Sequence, residues 1–392
     1  MPQEATALFE SPAILRRELL RRLADLACTG EPGFLVTALG NALVLPHALP
    51  EAGAELRRAF DALLERWRER LLAGEPVGAR HDEIDTILRI ALIGWDALRP
   101  VERRMVGPWA AQFNLMRAFR PRRAARPATS QVCVPRTADE FGFHDERLRP
   151  ERLGSEELAG RETRAYLNRY PYAGMHLLLV PDADRLLPQS LDADLVRWAW
   201  DSLAAIGRGI PGAVLGWNSM GAFASVNHAH FHLVIEPEEL PIQHPRWTVN
   251  GGATEYPAEA LRYDAPDDAW EHIRSLQNAN TPFNALFAPG RVYVYPRPFE
   301  AATGHAAWTT GFAFHELSGS IVVTRRAPFL SLSENQIVAE LARCRRSVRR
   351  ASGTEDAEAT DRRASARPGS ILNTRNDLST GTKRLDMIQP SC

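Results

Sequence analysis

Three features are scarce in this chain of 392 residues, and each scarcity excludes a class of protein. There are four cysteines, Cys28, Cys133, Cys344 and Cys392, so distant from one another that no Cys-x-x-Cys pair can hold a structural metal. No apolar run approaches the ~20 residues that a membrane span needs. The formal net charge of -1 argues against nucleic acid as the main partner, because binding a phosphate backbone needs a broad positive surface.

What the chain does have is enough apolar material for a large core. Hydrophobic residues make up 45% of it, which is compatible with one large domain or two medium ones. The first twelve residues are acidic and carry no hydrophobic segment of the kind found in secretion signals. Together with the scattered cysteines, this predicts a cytoplasmic protein with no membrane association.

Periodicity divides the chain into three predicted parts. Residues 1–104 carry leucines at helical spacing, which predicts a helical amino-terminal region, interrupted by a strand-like apolar piece at residues 33–46. Residues 105–348 alternate short strands with helices, including a helix beginning near Asp192 and capped by that residue, and form the predicted catalytic core. Residues 349–392 are charged and poor in apolar residues, which predicts a disordered tail.

The most informative motif is a row of alternating histidines, His228, His230 and His232. Aromatic and branched residues lie between and after them, which favours a strand leaving a turn at Gly221. Because alternate residues of a strand point the same way, we expect the three imidazoles to line one face.

Three interpretations of this row are open from the residues alone. The histidines could hold a metal, be buried structural groups, or act on a phosphate, since a neutral imidazole can attack phosphorus and is a good leaving group. Neutral hydrogen-bonding residues stand beside the row, at Asn218, Ser219, Ser225 and Asn227, whereas the carboxylates expected next to a metal are absent until Glu236. The surroundings therefore favour phosphate chemistry.

The sequence His-x-His-x-His followed by two apolar residues resembles the histidine-triad signature. That resemblance implies that His230 is the nucleophile, that Ser225 contacts phosphate and that Asn218 is the asparagine upstream in the same motif. The segment Asn168 to Pro181, with Asn-x-x-Pro and then Gly-x-His before an apolar strand, is similar to the family's other recurrent motif, and adds Asn168 to the substrate-binding candidates.

Further stretches resemble one branch of this superfamily, the GDP-hexose phosphorylases, which are relatives of galactose-1-phosphate uridylyltransferase. The stretches are Phe113 to Pro127, Phe283 to Pro298 and His315 to Ile337, so the resemblance covers about residues 110–345. It implies an α+β fold: a histidine-triad-like antiparallel sheet flanked by helices, in the larger uridylyltransferase-like form, behind the helical amino-terminal region. One departure is His232, where many transferase and phosphorylase relatives have glutamine.

Arginines supply the remaining candidates for binding the substrate. A basic segment contains Arg117, Arg120, Arg122, Arg123 and Arg126. It is predicted to contact the phosphates or the guanine of the nucleotide, and Arg123 is the residue named for this contact. The alternative is that the segment is a solvated loop. Arg297 is predicted to contact a substrate phosphate, with a surface ion pair as the alternative.

Two further residues with aromatic rings, His176 and Trp217, lie near the motifs. His176 follows the Gly174 turn and lies either near the site or in the packed interior. Trp217, next to Asn218, is predicted to belong to the core rather than to stack on a base.

The resemblance implies a double displacement with a nucleoside-diphosphate sugar and inorganic phosphate as substrates. His230 takes the nucleotidyl group and releases hexose 1-phosphate, after which phosphate releases GDP; His228 and His232 orient the nucleophile and donate hydrogen bonds, with Ser219 among the neutral donors. No metal or cofactor is needed, and many relatives form dimers, so a homodimer is expected. Activity should fall below the histidine pKa of about 6 to 7.

Two other functions are compatible with the same residues. One is a hydrolase of dinucleoside polyphosphates or nucleoside phosphoramidates, in which water replaces phosphate as the acceptor. The other is a nucleotide-binding protein without catalysis. A requirement for phosphate separates the first from a phosphorylase, and turnover excludes the second.

Overall fold

The computed structural model describes residues 7–45, 48–120 and 130–346. Its α-helices are α1 (Pro12–Cys28), α2 (Pro32–Val44), α3 (Ala48–Leu72), α4 (His81–Ile93), α5 (Leu115–Phe119), α6 (Ala193–Gly209), α7 (Pro266–Asn278), α8 (Phe314–Leu317), α9 (Arg326–Ser331) and α10 (Glu334–Arg343). Its strands are β1 (Glu102–Val106), β2 (Trp109–Phe113), β3 (Arg152–Leu158), β4 (Arg161–Leu167), β5 (His176–Pro181), β6 (Ala213–Asn218), β7 (Phe231–Ile235), β8 (Leu261–Tyr263), β9 (Phe283–Ala288), β10 (Arg291–Pro296) and β11 (Ser320–Val323). The tail predicted at residues 349–392 lies outside the described residues.

Helices α1 to α4 form the helical amino-terminal region that the leucine spacing predicts. Helix α1 begins where Ser11 accepts a hydrogen bond from the N–H of Ile14 at 3.3 Å and Pro12 occupies the first position. Its buried residues recur every three to four positions, at Leu15, Leu19, Leu23 and Leu26. That stripe packs toward the interior, as amphipathic helices do.

The prediction of a strand-like piece at residues 33–46 is wrong. Residues 33–44 of this piece lie in α2, in which every residue from Gly33 to Val44 except Phe34 is buried. The helix packs against α1, α3 and α4, so it has almost no solvent-facing side and therefore no polar stripe. A continuous apolar run of this kind does not distinguish a buried helix from a buried strand.

The centre of the molecule is an eight-stranded sheet with the order β3-β4-β5-β7-β6-β9-β10-β8. All its neighbouring strands are antiparallel. In the register of β7, His232 lies opposite Leu178 on β5 and Gly216 on β6. A Cβ at Gly216 would collide with the ring of Phe314, so the absence of a side chain there lets α8 approach the sheet beside His232.

The two faces of the sheet are covered differently. One face packs against α6 and α7 and contains Trp217, which is fully buried in the core as predicted. Helix α6 begins as predicted, with Asp192 accepting from the N–H of Leu195 at 2.7 Å. The other face, which carries His232 and Val234, shares a hydrophobic cluster with a smaller sheet of order β1-β2-β11, in which β11 runs parallel to β2.

The predicted fold class is confirmed: the fold is α+β, an antiparallel sheet flanked by helices with a helical amino-terminal region. The boundary predicted between residues 104 and 105 stays a prediction. Within the described ranges, none of the helices combines the length and apolar character that crossing a membrane requires.

Candidate active site

The histidine row begins before the strand that was predicted to hold all of it. Only His232 belongs to β7, whereas His228 and His230 lie on the segment that leads into it. The reason is Gln189, whose side chain accepts from the N–H of His230 at 3.0 Å and donates to its carbonyl at 3.3 Å. One glutamine amide thus takes the place of a neighbouring strand for this residue.

The ring of His230 has one defined tautomer. Its Nδ1 lies 2.7 Å from the backbone carbonyl oxygen of His228. A carbonyl can only accept, so Nδ1 carries the proton and, in the neutral ring, Nε2 carries the lone pair. The residue is buried, with 3% of its surface exposed.

His228 has the opposite tautomer. The backbone N–H of Phe143 donates to its Nδ1 at 3.0 Å, so the proton lies on Nε2. This Nε2 is buried, and the backbone carbonyl of Ala183 is the group that favours a proton on the ring. Burial, reinforced by the positive charge of Arg136, lowers the pKa of His228 to about 3, so the ring is neutral at physiological pH.

His232 is held on both sides of its ring. Its Nε2 accepts from Nδ2 of Asn218 at 3.2 Å, and its Nδ1 donates to Nε2 of His176 at 2.9 Å. The Nδ2 of Asn168 donates to the same Nε2 of His176 at 3.2 Å. His176 therefore lies in the site and is fully buried. The prediction that His232 donates a hydrogen bond to a substrate oxygen is wrong, because its only ring N–H already donates to His176.

The amide of Asn218 is oriented by a longer chain of hydrogen bonds. Its Oδ1 accepts from Nδ2 of Asn284 at 2.7 Å and from the N–H of Phe314 at 3.2 Å, and a backbone N–H can only donate. The Oδ1 of Asn284 in turn accepts from Nη1 of Arg297 at 3.3 Å. Donors therefore point in one direction from Arg297 through the two asparagines to His232.

Arg297 is a buried support in this arrangement, so its predicted alternative as a surface ion pair is wrong. Only 2% of it is exposed, and its Nη1 also donates to the carbonyl of Phe312. Its guanidinium carbon lies 4.9 Å from the centre of the Phe223 ring. Burial lowers the pKa of Arg297 below its ordinary value.

The electrostatic surroundings keep the paired histidines neutral. Burial lowers the pKa of both His176 and His232 well below the ordinary value. The charges of Arg117 and Arg120 act in the same direction on His232. Neutral rings are what the hydrogen-bond directions require, because each accepts at one nitrogen.

Two arginines of the predicted basic segment are thereby placed near the site. Arg117 donates from Nη1 to the carbonyl of Tyr170 at 3.1 Å, and its guanidinium carbon lies 5.3 Å from the centre of the Tyr172 ring. The Tyr172 ring is 4.1 Å from that of His176. Arg122, Arg123 and Arg126 lie outside the described residues, so the predicted contact of Arg123 stays a prediction.

The predicted serines differ in their surroundings. Ser219 is buried, its hydroxyl donating to the carbonyl of Met220 at 3.2 Å and accepting from the N–H of Phe283 at 3.0 Å. Ser225 is half-buried on the loop before the histidines. Asn227 is buried and donates to the carbonyls of Val134 and Pro135, at 3.2 and 3.1 Å.

A second polar pair lies beside the row and was not predicted. Nε2 of His315 donates to Glu236 at 3.0 Å, and Arg103 contacts the same carboxylate at 3.4 Å. Burial alone would raise the pKa of Glu236, but these two partners more than offset it and the pKa is lowered. The ring of His315 is 4.7 Å from that of Tyr172, and its Nδ1 is buried without a partner. Among the described residues, no three His, Cys, Asp or Glu side chains are grouped to hold a metal ion.

Comparison with known proteins assigns this arrangement to a family. The model of the GDPGP1-like N-terminal domain matches residues 111–234, and that of the GDPGP1-like C-terminal domain matches residues 268–348. The chain belongs to the GDPGP1-like family. The histidine row and Asn218 lie in the N-terminal match, and Asn284, Arg297 and His315 lie in the C-terminal match.

Relatives of this GDPGP1-like chain are GDP-hexose phosphorylases, as the motifs predicted. The human GDP-D-glucose phosphorylase 1 is 27% identical over 300 residues, covering 74% of this chain and 65% of the human protein. GDP-L-galactose phosphorylase 2 of Arabidopsis thaliana is 29% identical over 195 residues, covering 43% of this chain and 45% of the plant protein. The chain therefore spans less than two thirds of the length of these relatives.

Among solved structures, the yeast Ap4A phosphorylase Apa2 is similar to the GDPGP1-like chain with a TM-score of 0.44 and 14% sequence identity. The match covers 63% of this chain and 88% of the yeast chain.

Proposed function

We propose that this chain cleaves a GDP-hexose with inorganic phosphate, giving GDP and hexose 1-phosphate, and that His230 carries the nucleotidyl group between the two steps. The observation that supports this best is the 2.7 Å bond from Nδ1 of His230 to the carbonyl of His228, which leaves Nε2 as the nucleophilic nitrogen. The names of the relatives supply the substrate class: a GDP-hexose as nucleotidyl donor and phosphate as acceptor.

In the first step, Nε2 of His230 attacks the α-phosphorus of the GDP-hexose. The bond from that phosphorus to the bridging oxygen breaks, and hexose 1-phosphate leaves with the bonding electrons. In the second step, an oxygen of inorganic phosphate attacks the same phosphorus, the P–N bond breaks, and GDP leaves. Because the donor product departs before the acceptor reacts, ping-pong kinetics are expected.

The other candidate residues divide into two proposed roles. We assign positioning to His232, His176, Asn218 and Asn168, whose side chains are joined to one another by hydrogen bonds. We assign contact with the phosphate oxygens to Ser225 and to the basic segment represented by Arg123, on the family resemblance. The positive charges of Arg117 and Arg120, which lower the pKa of His232, support an anionic substrate at this face.

Two predicted contacts receive revised assignments. The hydroxyl of Ser219 is used by Met220 and Phe283, so we assign it to holding the loop after β6. Arg297 is assigned to orienting Asn218 through Asn284. The expected homodimer stays a prediction.

The proposal is tested by supplying the purified protein with GDP-, ADP- and UDP-hexoses, with and without inorganic phosphate, and separating the nucleotide products. GDP that forms only with phosphate supports the phosphorylase. Nucleoside monophosphate that forms without phosphate supports the hydrolase instead. A GDP-hexose that binds without being consumed in either condition contradicts both enzymes and leaves a nucleotide-binding protein.

A further inference from the structure

A segment outside the histidine row crosses it and holds its first member. We call residues 133–144 the strap. Near its start, the side chain of Arg136 is 1% exposed although its sequence neighbours are largely exposed. Its Nη1 donates to the carbonyls of Asn227 and Phe141, at 2.6 and 3.2 Å, and its Nη2 donates to the carbonyl of Glu140 at 2.8 Å. One guanidinium thus joins the strap to the residue immediately before His228.

The strap also contacts the ring of His228. The N–H of Phe143 donates to Nδ1 of His228 at 3.0 Å, and the hydroxyl of Tyr166 fixes the same peptide segment by donating to the carbonyl of Phe143 at 2.7 Å. A Cβ at Gly142 would lie 2.6 Å from that Nδ1 and closer still to Arg136. Any larger residue at position 142 would therefore collide with the Arg136 guanidinium and the His228 ring, so that these side chains or the strap must shift.

These contacts continue to the nucleophile through the backbone. Arg136 binds the carbonyl on the amino-terminal side of His228, and the carbonyl on its other side accepts the Nδ1 proton of His230. The ring of Phe143 lies 5.2 Å from that of His230. A shift of the His228 peptide would lengthen the one bond that keeps the His230 lone pair on Nε2.

We propose that Arg136 is a positioning residue for the phosphorylase reaction, clamping the Asn227–His228 peptide and the strap so that the His228 carbonyl holds the reactive tautomer of His230. This inference rests on the function proposed above. Arg136 does not touch the reacting atoms, and it acts through His228.

The charged and titratable groups around His228 make this role measurable. Arg136 and His144 face its ring from the strap and His230 from its own segment, and all three disfavour its protonation, whereas the Ala183 carbonyl on the opposite side favours it. Removing the arginine and loosening the strap would admit water and remove one positive charge. Both changes raise the pKa of His228 from about 3.

The test compares Arg136→Met and Arg136→Lys with Arg147→Gln as a matched control. Arg147 lies just beyond the strap and its side chain is 85% exposed. Within the described ranges, its side-chain hydrogen bonds go to Asp145. For Arg136→Met we expect kcat to fall on the order of 100-fold, since a displacement of ~1 Å at a reacting group costs about that much. KM for both substrates should stay within ~3-fold, and the acid limb of kcat/KM should move to higher pH. Arg136→Lys keeps the positive charge but cannot bind all three carbonyls. Its kcat should therefore fall, while the acid limb of its kcat/KM profile should move less than that of Arg136→Met.

Nitrogen-15 NMR of labelled histidines supplies the deciding readout. In the wild type, His228 should be protonated at Nε2 and His230 at Nδ1, and in Arg136→Met the His230 signals should show a mixture of tautomers. Unchanged tautomers, or a kcat equal to that of Arg147→Gln, would overturn the proposal. If Arg136→Met does not fold, Gly142→Ala decides, because its Cβ would collide with both the Arg136 guanidinium and the His228 ring and so would disturb the same clamp without removing the charge.

The two proposals fail in different ways. Wild-type protein that forms no nucleotidyl-histidine during phosphorolysis contradicts the covalent mechanism but leaves the effect of Arg136 on kcat and on the tautomers intact. A trapped nucleotidyl-His230 in the wild type, with equal amounts and rates in Arg136→Met, contradicts the positioning role alone.

Discussion

Nδ1 of His230 lies 2.7 Å from the backbone carbonyl oxygen of His228, so the first histidine of the row orients the second through its main chain. The side chain of His228 is held independently by the N–H of Phe143. The hydrogen bonds therefore give the two rings opposite tautomers in their neutral forms, with the lone pair on Nε2 in His230 and on Nδ1 in His228. In the proposed mechanism, Nε2 of His230, the ring nitrogen far from the backbone, is the atom that attacks phosphorus.

Replacing His230 with alanine should abolish phosphorolysis, because the variant has no nucleophile. We expect kcat to fall on the order of 10⁴-fold or more. Intact-mass measurement after mixing with GDP-hexose in the absence of phosphate should detect one added nucleotidyl group on the wild type and none on His230→Ala. The exposed His305 provides the matched control, as His305→Ala should keep both the adduct and the activity. Substantial turnover by a folded His230→Ala protein would contradict the assignment.

Replacing His232 with glutamine should be tolerated. The glutamine Oε1 can accept from Nδ2 of Asn218 and its Nε2 can donate to His176, which reproduces both hydrogen bonds of the imidazole. We expect kcat/KM within ~10-fold of the wild type for His232→Gln.

His232→Ala provides the comparison for this variant. It leaves a buried donor on Asn218 and a buried acceptor on His176 without partners, at a cost of about 1–3 kcal/mol of stability each. Its kcat/KM should fall well below that of the glutamine variant. If both variants were as active as the wild type, His232 would have no positioning role. If both were equally impaired, His232 would do more than position its neighbours.

The buried neutral histidines also predict how stability depends on pH. The folded-state pKa values of His176, His228 and His232 lie below the ordinary value of 6.5, so as pH falls the unfolded chain takes up protons first. The free energy of unfolding should therefore decrease below about pH 6.5, by roughly 1.4 kcal/mol per pH unit for each of these histidines. For His228 this decrease should continue to about pH 3, the pKa of the folded state.

Urea unfolding at pH 7, 6 and 5 checks this expectation. His232→Gln should show a shallower slope than the wild type, by roughly one proton's worth, because one buried histidine is missing. His305→Gln, at an exposed position, should leave the slope unchanged. A slope in His232→Gln equal to that of the wild type would mean that His232 is already charged in the folded protein.

The sequence predicted the members of the site better than their supports. His230, His232, Asn218 and Asn168 come from two short motifs whose spacing is local, and the structure brings all four together. Residues that support the site from distant parts of the chain belong to no such short motif. Glu236 and His315 pair across 79 positions, and neither residue has a periodic context.

The strap and α2 were missed for related reasons. Arg136 lies in a polar loop that is typical of a solvated segment, and the contact that joins it to the site is with the carbonyl of Asn227, 91 positions further on. Helix α2 was read as a strand because burial on nearly every face removes the amphipathic pattern. In both cases a long-range contact decides the burial, and the local sequence contains no pattern that predicts it.

Replacing the buried Arg297 with methionine should destabilise the protein without a selective effect on substrate binding. The variant leaves the carbonyl of Phe312 and the Oδ1 of Asn284 as buried acceptors without this donor, which should cost about 2–4 kcal/mol of unfolding free energy. The loss of orientation in Asn284 should pass to Asn218 and lower kcat, while KM for the GDP-hexose stays within ~3-fold. Thermal unfolding and steady-state kinetics measure both effects, with the exposed Arg274→Met as the matched control. A KM raised 10-fold or more at unchanged stability would instead place Arg297 on a substrate phosphate, because a lost charge-assisted hydrogen bond to the ligand weakens binding by about that amount.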